Sequence, residues 1–521
     1  MKMLSRLLSA ALSLTLLLGL TGCQGLAGIW VKQTKLPVLA IETKRRDAGA
    51  MDFVTEPVAP LVAASLFSPE SMPPAPYYED CFITLRSGEG KQLLDSCSAQ
   101  VKVRGNWSSR YPKKSLRIKF DRKRNLLGLN DGARQKNWVL LAGYKDISML
   151  RDKAALSLSR EILGADGLYA ADAELVSVTI NGEYWGVYLL ADLQQVSAHR
   201  VNITEPDKGY TGTDIGYFLE YDGYYVYEEA LESFPLDFAG NAPLRVYDGN
   251  PDTRVTCCPL PVSDDDPKEP VGITIKSDIY SKEQHDFIEN FINQTYRILY
   301  EAAYHQKAFV FDDAYREISE NPALTPQQAV ERVVDTRSLV DMYIISELTC
   351  DADLYWSSFF MDVDFGPEGD RKLRFEAPWD FDSAMGNRDR CLDGTGFYAC
   401  NLIPDVKGGP EQGGEYCTVN PWLTVLACED WYQELVRETW KRVRESGALE
   451  RACALIAEDS AALQREFKKN YKKWDNIRQN RLFVYELSEP AKSCRTEAEA
   501  AAFLQQWLTA RIGFLDSRWN P

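Results

Sequence analysis

The hydrophobic pattern of the chain changes its period part-way along, and this change limits the folds that the chain can adopt. Polar and apolar residues alternate over residues 115–120 and again over 176–180, which is typical of half-buried strands. Asn181-Gly182 follows the second run and predicts a hairpin, because both residue types tolerate positive φ. From about residue 287 onward, apolar residues recur with a helical period. The sequence therefore predicts an α+β fold, a β-rich part followed by a larger helical part.

The 521 residues allow more than one structural unit. We place a β-rich N-terminal lobe at about 76–222, with one helix over 147–163, and a helical C-terminal lobe at about 273–520. Residues 223–272 look like an insertion, since they contain the acidic run SDDDPKEP. Residues 23–75 contain proline-rich pieces and little periodicity, which predicts a tether.

The first 22 residues predict an export signal. Lys2 and Arg6 precede an apolar, leucine-rich run that is too short for a typical membrane span. The run ends in Leu-Thr-Gly-Cys23, which resembles a bacterial lipobox and implies a diacylglycerol on Cys23. The alternative is an ordinary secretory signal with a chance cysteine. We expect a protein that is lipid-anchored to the cell membrane at its extracytoplasmic face.

Disulfides are compatible with an exported chain. Cys81 and Cys97 flank a glycine-rich turn and predict a stapled hairpin. Buried, unpaired thiols are the alternative.

Charge and composition narrow the chemistry. The formal net charge of −17 argues against a dedicated nucleic-acid binder, whose binding surface is basic. His199, His285 and His305 are the three histidines, and their spacing is not that of metal ligands. This disfavours Ser-His-Asp hydrolases and histidine-rich zinc enzymes. Catalysis would then depend on carboxylates, lysine and arginine.

One basic loop has the chemistry to hold phosphate. In VKVRGNWSSRYPKKS, residues 101–115, a strand enters a short polar loop and a second strand follows Lys113 and Lys114. Gly105 allows close backbone approach, and Arg104 and the two lysines supply charge, so the loop suits phosphate oxygens. A solvated basic hairpin is the alternative.

A second segment begins at Glu347 with ELTCDADLYWSSFF. Asp351 and Asp353 lie in it where a long predicted helix ends and a strand begins. A helix macrodipole favours cations at this end, so it does not explain carboxylates there. A functional role is favoured over a capping role.

A third segment, PWDFDSAMG, places Asp380 and Asp382 two residues apart after a predicted strand. This spacing suits a hard cation such as Mg²⁺, although an Asx turn or a salt bridge would also use it. A basic loop, an Asp after a helix and an Asp after a strand, in this order, are the parts of kinase-like phosphoryl transfer.

In these segments the chain resembles the CotH kinase family, the spore-coat-related atypical kinases. The matching blocks are RGNWSSRYPKKSLRIKF, NWVLLAGYKDISMLRDKAALSLSREILG, VTINGEYWGVYLLADLQQV, GYFLEYD, ITIKSD, ELTCDADLYWSSFF and APWDFDSAMGN. The resemblance covers roughly residues 76–520. It implies an atypical protein-kinase-like, two-lobed fold that binds Mg²⁺ and ATP. It also implies phosphate transfer to Ser or Thr of a surface or coat protein, which the sequence does not identify.

The resemblance assigns roles to the acidic residues. Asp353 matches the Asp of the family's Asn-x-Asp block and is expected to be catalytic, while Asp351 stands where the family has Asn. Asp380 matches the metal-binding Asp, and Asp382 is its neighbour. Ser358 lies five residues after Asp353, where ordinary kinases have a metal-binding Asn. The resemblance therefore leaves Asp382 or Asp351 to complete the metal shell.

The resemblance also points to residues that contact the nucleotide. Lys114, in the Pro-Lys-Lys block, is the expected phosphate-contacting lysine, and Lys113 is its rival. Arg104 and Arg151 match basic positions that face phosphate. Glu220 lies where an interlobe hinge is expected, and it either binds ribose or is structural.

Two functional hypotheses remain open. The first is an active Mg²⁺-ATP-dependent protein kinase. The second is a non-catalytic surface lipoprotein, structural or adhesive, that keeps the fold, since ATP is scarce outside the cytoplasmic membrane. A carboxylate-pair glycosidase is a third hypothesis, and the lysine block disfavours it.

Overall fold

The computed structural model describes most of the chain. The described residues are 35–61, 68–250, 252–257, 259, 271–401, 419–479 and 487–520. The predicted signal peptide and Cys23 lie outside these ranges. Within the described ranges, no helix combines the length and apolar character needed to cross a bilayer.

Seven strands close into a barrel. They are β1 (Val38–Thr43), β2 (Glu79–Arg86), β3 (Gln92–Val103), β4 (Leu116–Arg124), β5 (Gln135–Leu141), β6 (Ala173–Ile180) and β7 (Glu183–Asp192). Their order is β1-β2-β3-β4-β5-β7-β6, and parallel pairing of β1 with β6 closes the barrel. Leu39, Val101 and Ile118 pack in one buried cluster, because alternate side chains of a strand point to the same face.

β1 corrects the tether predicted over residues 23–75. Residues Val38–Thr43 form a barrel strand in which Leu39, Ile41 and Thr43 are buried. Six alternating residues are too short a pattern to stand out beside proline-rich neighbours. They become a strand because β2 pairs with one edge and β6 with the other, which supplies the ladder of hydrogen bonds.

The predicted hairpin is present. β6 and β7 pair in antiparallel fashion, and Asn181 and Gly182 join them with φ values of 50° and 80°. The predicted staple between Cys81 and Cys97 is wrong. Cys81 lies opposite Ala99, and the nine described cysteines are free thiols.

The remaining strands follow the barrel in sequence. They are β8 (Gly216–Asp222), β9 (Ser233–Pro235), β10 (Leu244–Arg245), β11 (Thr256–Cys257), β12 (Gly272–Ile275), β13 (Phe309–Phe311), β14 (Ile318–Glu320), β15 (Phe359–Asp364) and β16 (Arg374–Phe375). Five of them form a sheet with the order β16-β15-β8-β12-β9. β8 therefore pairs with strands of the C-terminal part, although we place it in the N-terminal lobe from sequence.

The helices lie mainly in the second half of the chain. They are α1 (Asp52–Thr55), α2 (Arg151–Gly164), α3 (Phe238–Asn241), α4 (Lys282–His305), α5 (Pro326–Val333), α6 (Thr336–Thr349), α7 (Pro421–Thr424), α8 (Asp430–Ser446), α9 (Ala448–Ala462), α10 (Gln464–Lys473), α11 (Asn476–Gln479), α12 (Glu489–Ser493) and α13 (Glu497–Trp519). The fold is therefore mixed α+β, as the change of period predicts.

Helix α2 begins four residues later than the sequence predicts. The carboxylate of Asp146 accepts hydrogen bonds from the backbone N–H groups of Ser148, Leu150 and Arg151 at 2.9–3.0 Å. Met149 between them has a φ of 57°, which a helix cannot contain. The acidic side chain thus caps the helix and fixes where it starts.

A buried ion pair joins the last helix to α6. Arg511 on α13 and Glu347 on α6 are both fully buried and form a salt bridge. Glu347 also accepts hydrogen bonds from the backbone N–H groups of Tyr398 and Ala399, each at 2.9 Å. This pair therefore fixes the end of α6, from which Asp351 and Asp353 follow.

We expect Arg511→Met to lower the free energy of unfolding by about 3–5 kcal/mol, because it leaves the Glu347 carboxylate buried and unpaired. Denaturant unfolding followed by tryptophan fluorescence measures the change. Lys441→Met is the matched control, since its pair with Glu445 is exposed and should contribute less than about 1 kcal/mol. Equal losses in the two variants would contradict the assigned role of the buried pair.

Candidate functional site

A cavity of about 1120 Å³ lies between the barrel and the second sheet. The β3–β4 connection and the β5–α2 connection supply one side of it. β8, the loop after α6 and the loop after β16 supply the other side. The three chemical segments recognised in the sequence therefore meet at one place.

Seven of the described acidic residues line this cavity, and four of them, Asp152, Asp353, Asp380 and Asp382, interact electrostatically with one another. Asp152 is the second residue of α2, Asp353 follows α6, and the other two follow β16. The backbone N–H of Phe381 donates a hydrogen bond to Asp152 Oδ1 at 2.9 Å. This bond ties α2 to the segment that carries Asp380 and Asp382.

These carboxylates destabilise one another as anions. Enclosure by the cavity walls and the neighbouring Asp382 and Asp353 raise the pKa of Asp380 to about 7, although its side chain is exposed within the cavity and Arg104 and Lys145 act in the opposite direction. Burial, Asp382 and Asp380 raise the pKa of Asp152 well above its usual range. Carboxylate oxygens are the ligands that a hard divalent cation prefers, although no three of these described carboxylates bring ligand oxygens within 4.8 Å of one another.

The loop with Asp380 has an unusual backbone path. Asp380 has left-handed angles, φ 70° and ψ 54°. Gly386 has a φ of 76°, and a Cβ added there would lie 2.6 Å from Trp507 Cδ1. Position 386 therefore needs glycine both for its backbone angle and for its contact with α13.

Lys145 is the cavity lysine that lies beside the carboxylates of the loop after β16. It is 5% exposed and lines the cavity wall. Its ammonium lies 3.5 Å from Asp382 Oδ1 and donates a hydrogen bond to Ser383 Oγ. A lysine held against a metal-type carboxylate is placed to contact phosphate as a point charge.

Arg104 also lies in the cavity, as the resemblance implies. Its guanidinium lies 5.7 Å from the ring centroid of Trp379. Burial lowers the pKa of Arg104, against the opposing effect of Asp380. Gly105 beside it has a φ of 97° and leaves only 2.1 Å between an added Cβ and Ser108 Oγ, so the loop requires glycine there.

The expected phosphate contacts of Lys114 and Lys113 do not fit the structure. Lys114 is 6% exposed and donates to the carbonyl oxygens of Ser109 and Tyr111 at 2.7 and 3.4 Å. Lys113 is 1% exposed and donates to the carbonyl of Ala142 at 2.7 Å. Neither residue lines the cavity. Lys113 donates to carbonyls of the β5–α2 connection and of β7, which the barrel brings to it, whereas Lys114 donates to carbonyls of its own β3–β4 connection.

Arg151 does not reach the cavity either. It is 1% exposed, forms a salt bridge with Asp146, and donates through Nε to the carbonyl of Ala384 at 3.2 Å. The structure therefore does not support the nucleotide contact expected of Arg151. Arg151 has a structural role instead and attaches α2 to the loop after β16.

Glu220 lines the cavity but is already engaged. Its carboxylate pairs with Lys276 at 3.0 Å and accepts the backbone N–H of Ser358 at 3.1 Å. Of the two readings left open by the sequence, the structural one fits these contacts. Ser358 also lines the cavity, with a φ of 62°.

Asp353 has a cationic neighbour. Arg388 Nη1 lies 3.2 Å from Asp353 Oδ1, and both residues line the cavity. Asp351 lies behind them, 6% exposed, and its Oδ1 accepts the backbone N–H of Asp353 at 3.1 Å. Asp351 does not line the cavity, so it positions the loop rather than completing a metal shell.

Sequence reasoning missed Lys145, Asp152 and Arg388. Two of them lie within the block GYKDISMLRDK, and the third follows the block APWDFDSAMGN. Their position inside or directly after a matching block was the sequence signal that could have identified them. Residue spacing gave no such signal, because Lys145 lies in an irregular connection and Asp152 lies on a helix that looks ordinary in sequence.

Comparison with known proteins adds one finding. A family model described as CotH kinase protein matches residues 101–515. Among curated proteins, none matches the chain at a significant level. The matched range contains the four interacting cavity carboxylates together with Lys145 and Arg104.

We expect Lys145→Met to weaken Mg²⁺-ATP binding by about tenfold to a hundredfold, since a hydrogen bond to a charged phosphate contributes about 1.5–3 kcal/mol. Lys114→Met should leave ATP affinity within about twofold while it lowers thermal stability, because Lys114 binds only backbone carbonyls among the described residues. Calorimetric titration and circular dichroism measure the two effects. If Lys114→Met loses ATP affinity and Lys145→Met does not, Lys114 is the residue that contacts phosphate.

Proposed function

The chain belongs to the CotH kinase protein family, and from this membership we propose that it transfers phosphate from Mg²⁺-bound ATP to Ser or Thr of a surface or coat protein. The observation that carries the proposal is the single cavity in which four carboxylates meet Lys145 and Arg104. Phosphoryl transfer needs positioned anionic ligands for metal, cations for phosphate and a carboxylate near the acceptor hydroxyl.

We further propose that the barrel takes the place of the N-terminal lobe of a kinase-like, two-lobed fold. The cavity lies where the barrel meets the sheet and helices of the C-terminal part, as a nucleotide site between lobes would. Leu141, Leu193 and Phe218 line it and offer apolar surface for a purine ring. Its volume of about 1120 Å³ leaves room for a nucleotide and an acceptor side chain.

The residues present fit a divalent metal ion. Asp380 and Asp382 are the proposed ligands, and Asp152 is the proposed third ligand, since its hydrogen bond with the Phe381 backbone attaches it to the same loop. The raised pKa of Asp380, about 7, reflects like charges that a cation would offset. Mg²⁺ bound there would neutralise and orient the phosphate oxygens of ATP.

Asp353 is the proposed proton acceptor for the attacking hydroxyl. Its backbone is held by the Asp351 carboxylate, and its carboxylate oxygen faces Arg388. Arg388 is therefore placed to orient the carboxylate of Asp353 toward the cavity. Lys145 and Arg104 are the proposed phosphate contacts, since both line the cavity and both lie close enough to Asp380 to influence its pKa.

Asp353→Asn and Asp380→Asn should fail in different ways. Asp353→Asn should slow phosphate transfer by about 10²–10⁴-fold, the usual contribution of a general base, and keep Mg²⁺-ATP affinity. Asp380→Asn should lose the Mg²⁺-dependent part of ATP affinity as well as transfer. The measurements are ATP titration with and without Mg²⁺ and radiolabel transfer to a casein-like acceptor.

The outcomes separate the hypotheses. If both variants transfer phosphate at the wild-type rate, the radiolabel on the acceptor comes from a contaminating kinase or from another site of the chain. If the wild-type chain binds ATP but transfers no phosphate, the non-catalytic hypothesis is supported. If it binds no ATP, the chain shares only the fold of the family and acts as a surface module.

We also propose that the mature chain is anchored by a lipid on Cys23 at the outer face of the cell membrane. The support is the sequence Leu-Thr-Gly-Cys at the end of the apolar run. Two acyl chains suffice for stable anchoring, and the acidic chain has no polybasic second signal at its start.

Cys23→Ala should move the protein out of the detergent phase in a phase-separation assay. Mass spectrometry of the N-terminal peptide should find diacylglycerol on the wild type alone. A Cys97→Ala variant controls for the loss of a thiol. A wild-type N-terminus without lipid, or a cleaved Cys23→Ala chain that stays in the detergent phase, would overturn the anchor.

A further inference from the structure

Positive charge is concentrated in one short stretch of this acidic chain. Residues 101–136 contain 12 of the 59 Lys and Arg residues and 2 of the 76 Asp and Glu residues. The stretch covers the end of β3, all of β4 and the start of β5. The barrel therefore carries a strong local positive charge on a molecule whose net charge is −17.

A row of these cations lies on the outer surface of the barrel. We call it the basic strip, and it consists of Lys102, Arg117, Lys119, Arg122, Lys123 and Arg124. Val101, Leu116 and Ile118, which alternate with the first three, are fully buried in the barrel core. Because side chains of a strand alternate between its faces, Lys102, Arg117 and Lys119 face outward, and the irregular β4–β5 register after Lys119 interrupts the alternation before Arg122. Lys119, Arg122 and Lys123 are exposed.

The strip is not neutralised within the described part of the chain. None of its six side chains forms a salt bridge with a described acidic residue, and Asp121 is the single acid within β4. Lys102 and Arg117 lie directly opposite each other in the β3–β4 register. Like charges in directly opposed positions destabilise a sheet. Here no acidic residue of the described chain forms a salt bridge with either of the two cations.

The inner end of the strip enters the cavity. Lys102 and Arg117 line the cavity wall together with Arg104. Burial, and then the proximity of Arg117, lower the pKa of Lys102. Arg117 Nη2 binds Asn137 Oδ1 at 3.2 Å, whereas its buried Nε has no hydrogen-bond partner among the described residues. The charged row thus leads from the barrel surface to the proposed site of chemistry.

The length and course of the row favour a polypeptide as its occupant. From Arg117 to Arg124 the strand spans about 23 Å, at about 3.3 Å for each residue. Lys119 and the residues beyond it do not line the cavity that would hold a nucleotide. A flat bilayer could meet the outer residues, but it could not follow the strip into the cavity.

We propose that the basic strip docks an acidic segment of the acceptor polypeptide, rich in Asp, Glu or phosphorylated residues, and delivers a neighbouring Ser or Thr to the cavity. The identity of the occupant as the acceptor rests on the proposed kinase function. The binding itself does not, because it requires neither ATP nor transfer. Charge complementarity of this kind sets the association rate and the choice of partner.

The test uses the purified chain and three fluorescein-labelled 12-residue peptides, in which Ser alternates with Glu, Lys or Gly. Fluorescence anisotropy without ATP should show binding of the Glu-Ser peptide, weakened by added salt because exposed charges are screened. The double variant K119E/R122E should bind that peptide about tenfold less tightly, since two attractive contacts become repulsive.

The double variant K441E/K468E is the matched control. It makes the same change in net charge at exposed positions on α8 and α10, and its affinity should stay within about twofold of the wild type. If both double variants lose the same peptide affinity, the effect comes from overall charge and the proposed docking role of the basic strip is wrong. The proposal is also wrong if the wild type binds the Lys-Ser peptide more tightly than the Glu-Ser peptide.

Two further arms separate this inference from its alternatives. Phosphatidylglycerol vesicles test the membrane, and vesicle binding that depends on Lys119 and Arg122 without peptide binding would overturn the proposal. Phosphate transfer to the Glu-Ser peptide tests the kinase. If K119E/R122E raises the KM for the peptide and leaves ATP affinity unchanged, the strip acts in substrate docking. Strip-dependent binding without any transfer would overturn the kinase function and leave the docking surface.

Discussion

The contact between the start of helix α2 and the loop after β16 holds the whole site together. Asp152 accepts the backbone N–H of Phe381, and Arg151 donates to the carbonyl of Ala384. Adjacent residues of α2 therefore bind the loop that carries Asp380 and Asp382. Since α2 follows the barrel and the loop follows the second sheet, this contact also fixes one half of the molecule against the other.

The same contact brings carboxylates together whose mutual repulsion the nearby Lys145 and Arg104 offset only in part. Enclosure by the cavity walls and like charges raise the pKa of Asp380 and of Asp152. Such an arrangement is unfavourable in isolation, because a charge in a low-dielectric site needs a partner. It persists because α2, α6 and α13 are fixed elsewhere, as in the buried pair of Arg511 with Glu347. A metal and nucleotide site requires charged side chains that the surrounding helices and strands hold in place before the ligand binds.

Charge is also divided over the surface. The barrel carries the basic strip, while the chain as a whole has a net charge of −17. An acidic ligand would thus meet a repulsive field over most of the molecule and an attractive one along β4, so its approach would be steered toward the cavity.

The sequence by itself determined the α+β class, the hairpin at Asn181-Gly182 and the positions of Asp353, Asp380 and Asp382 after a helix and a strand, because alternation, turn chemistry and element ends are local properties. It did not determine which lysine lies beside Asp382. Lys113 and Lys114 look equally exposed in sequence, and only the folded structure encloses their ammonium groups among backbone carbonyls. Tertiary packing likewise decided that Arg151 is structural and that Lys145 and Asp152 face the cavity, because burial and pairing depend on residues more than two hundred positions away.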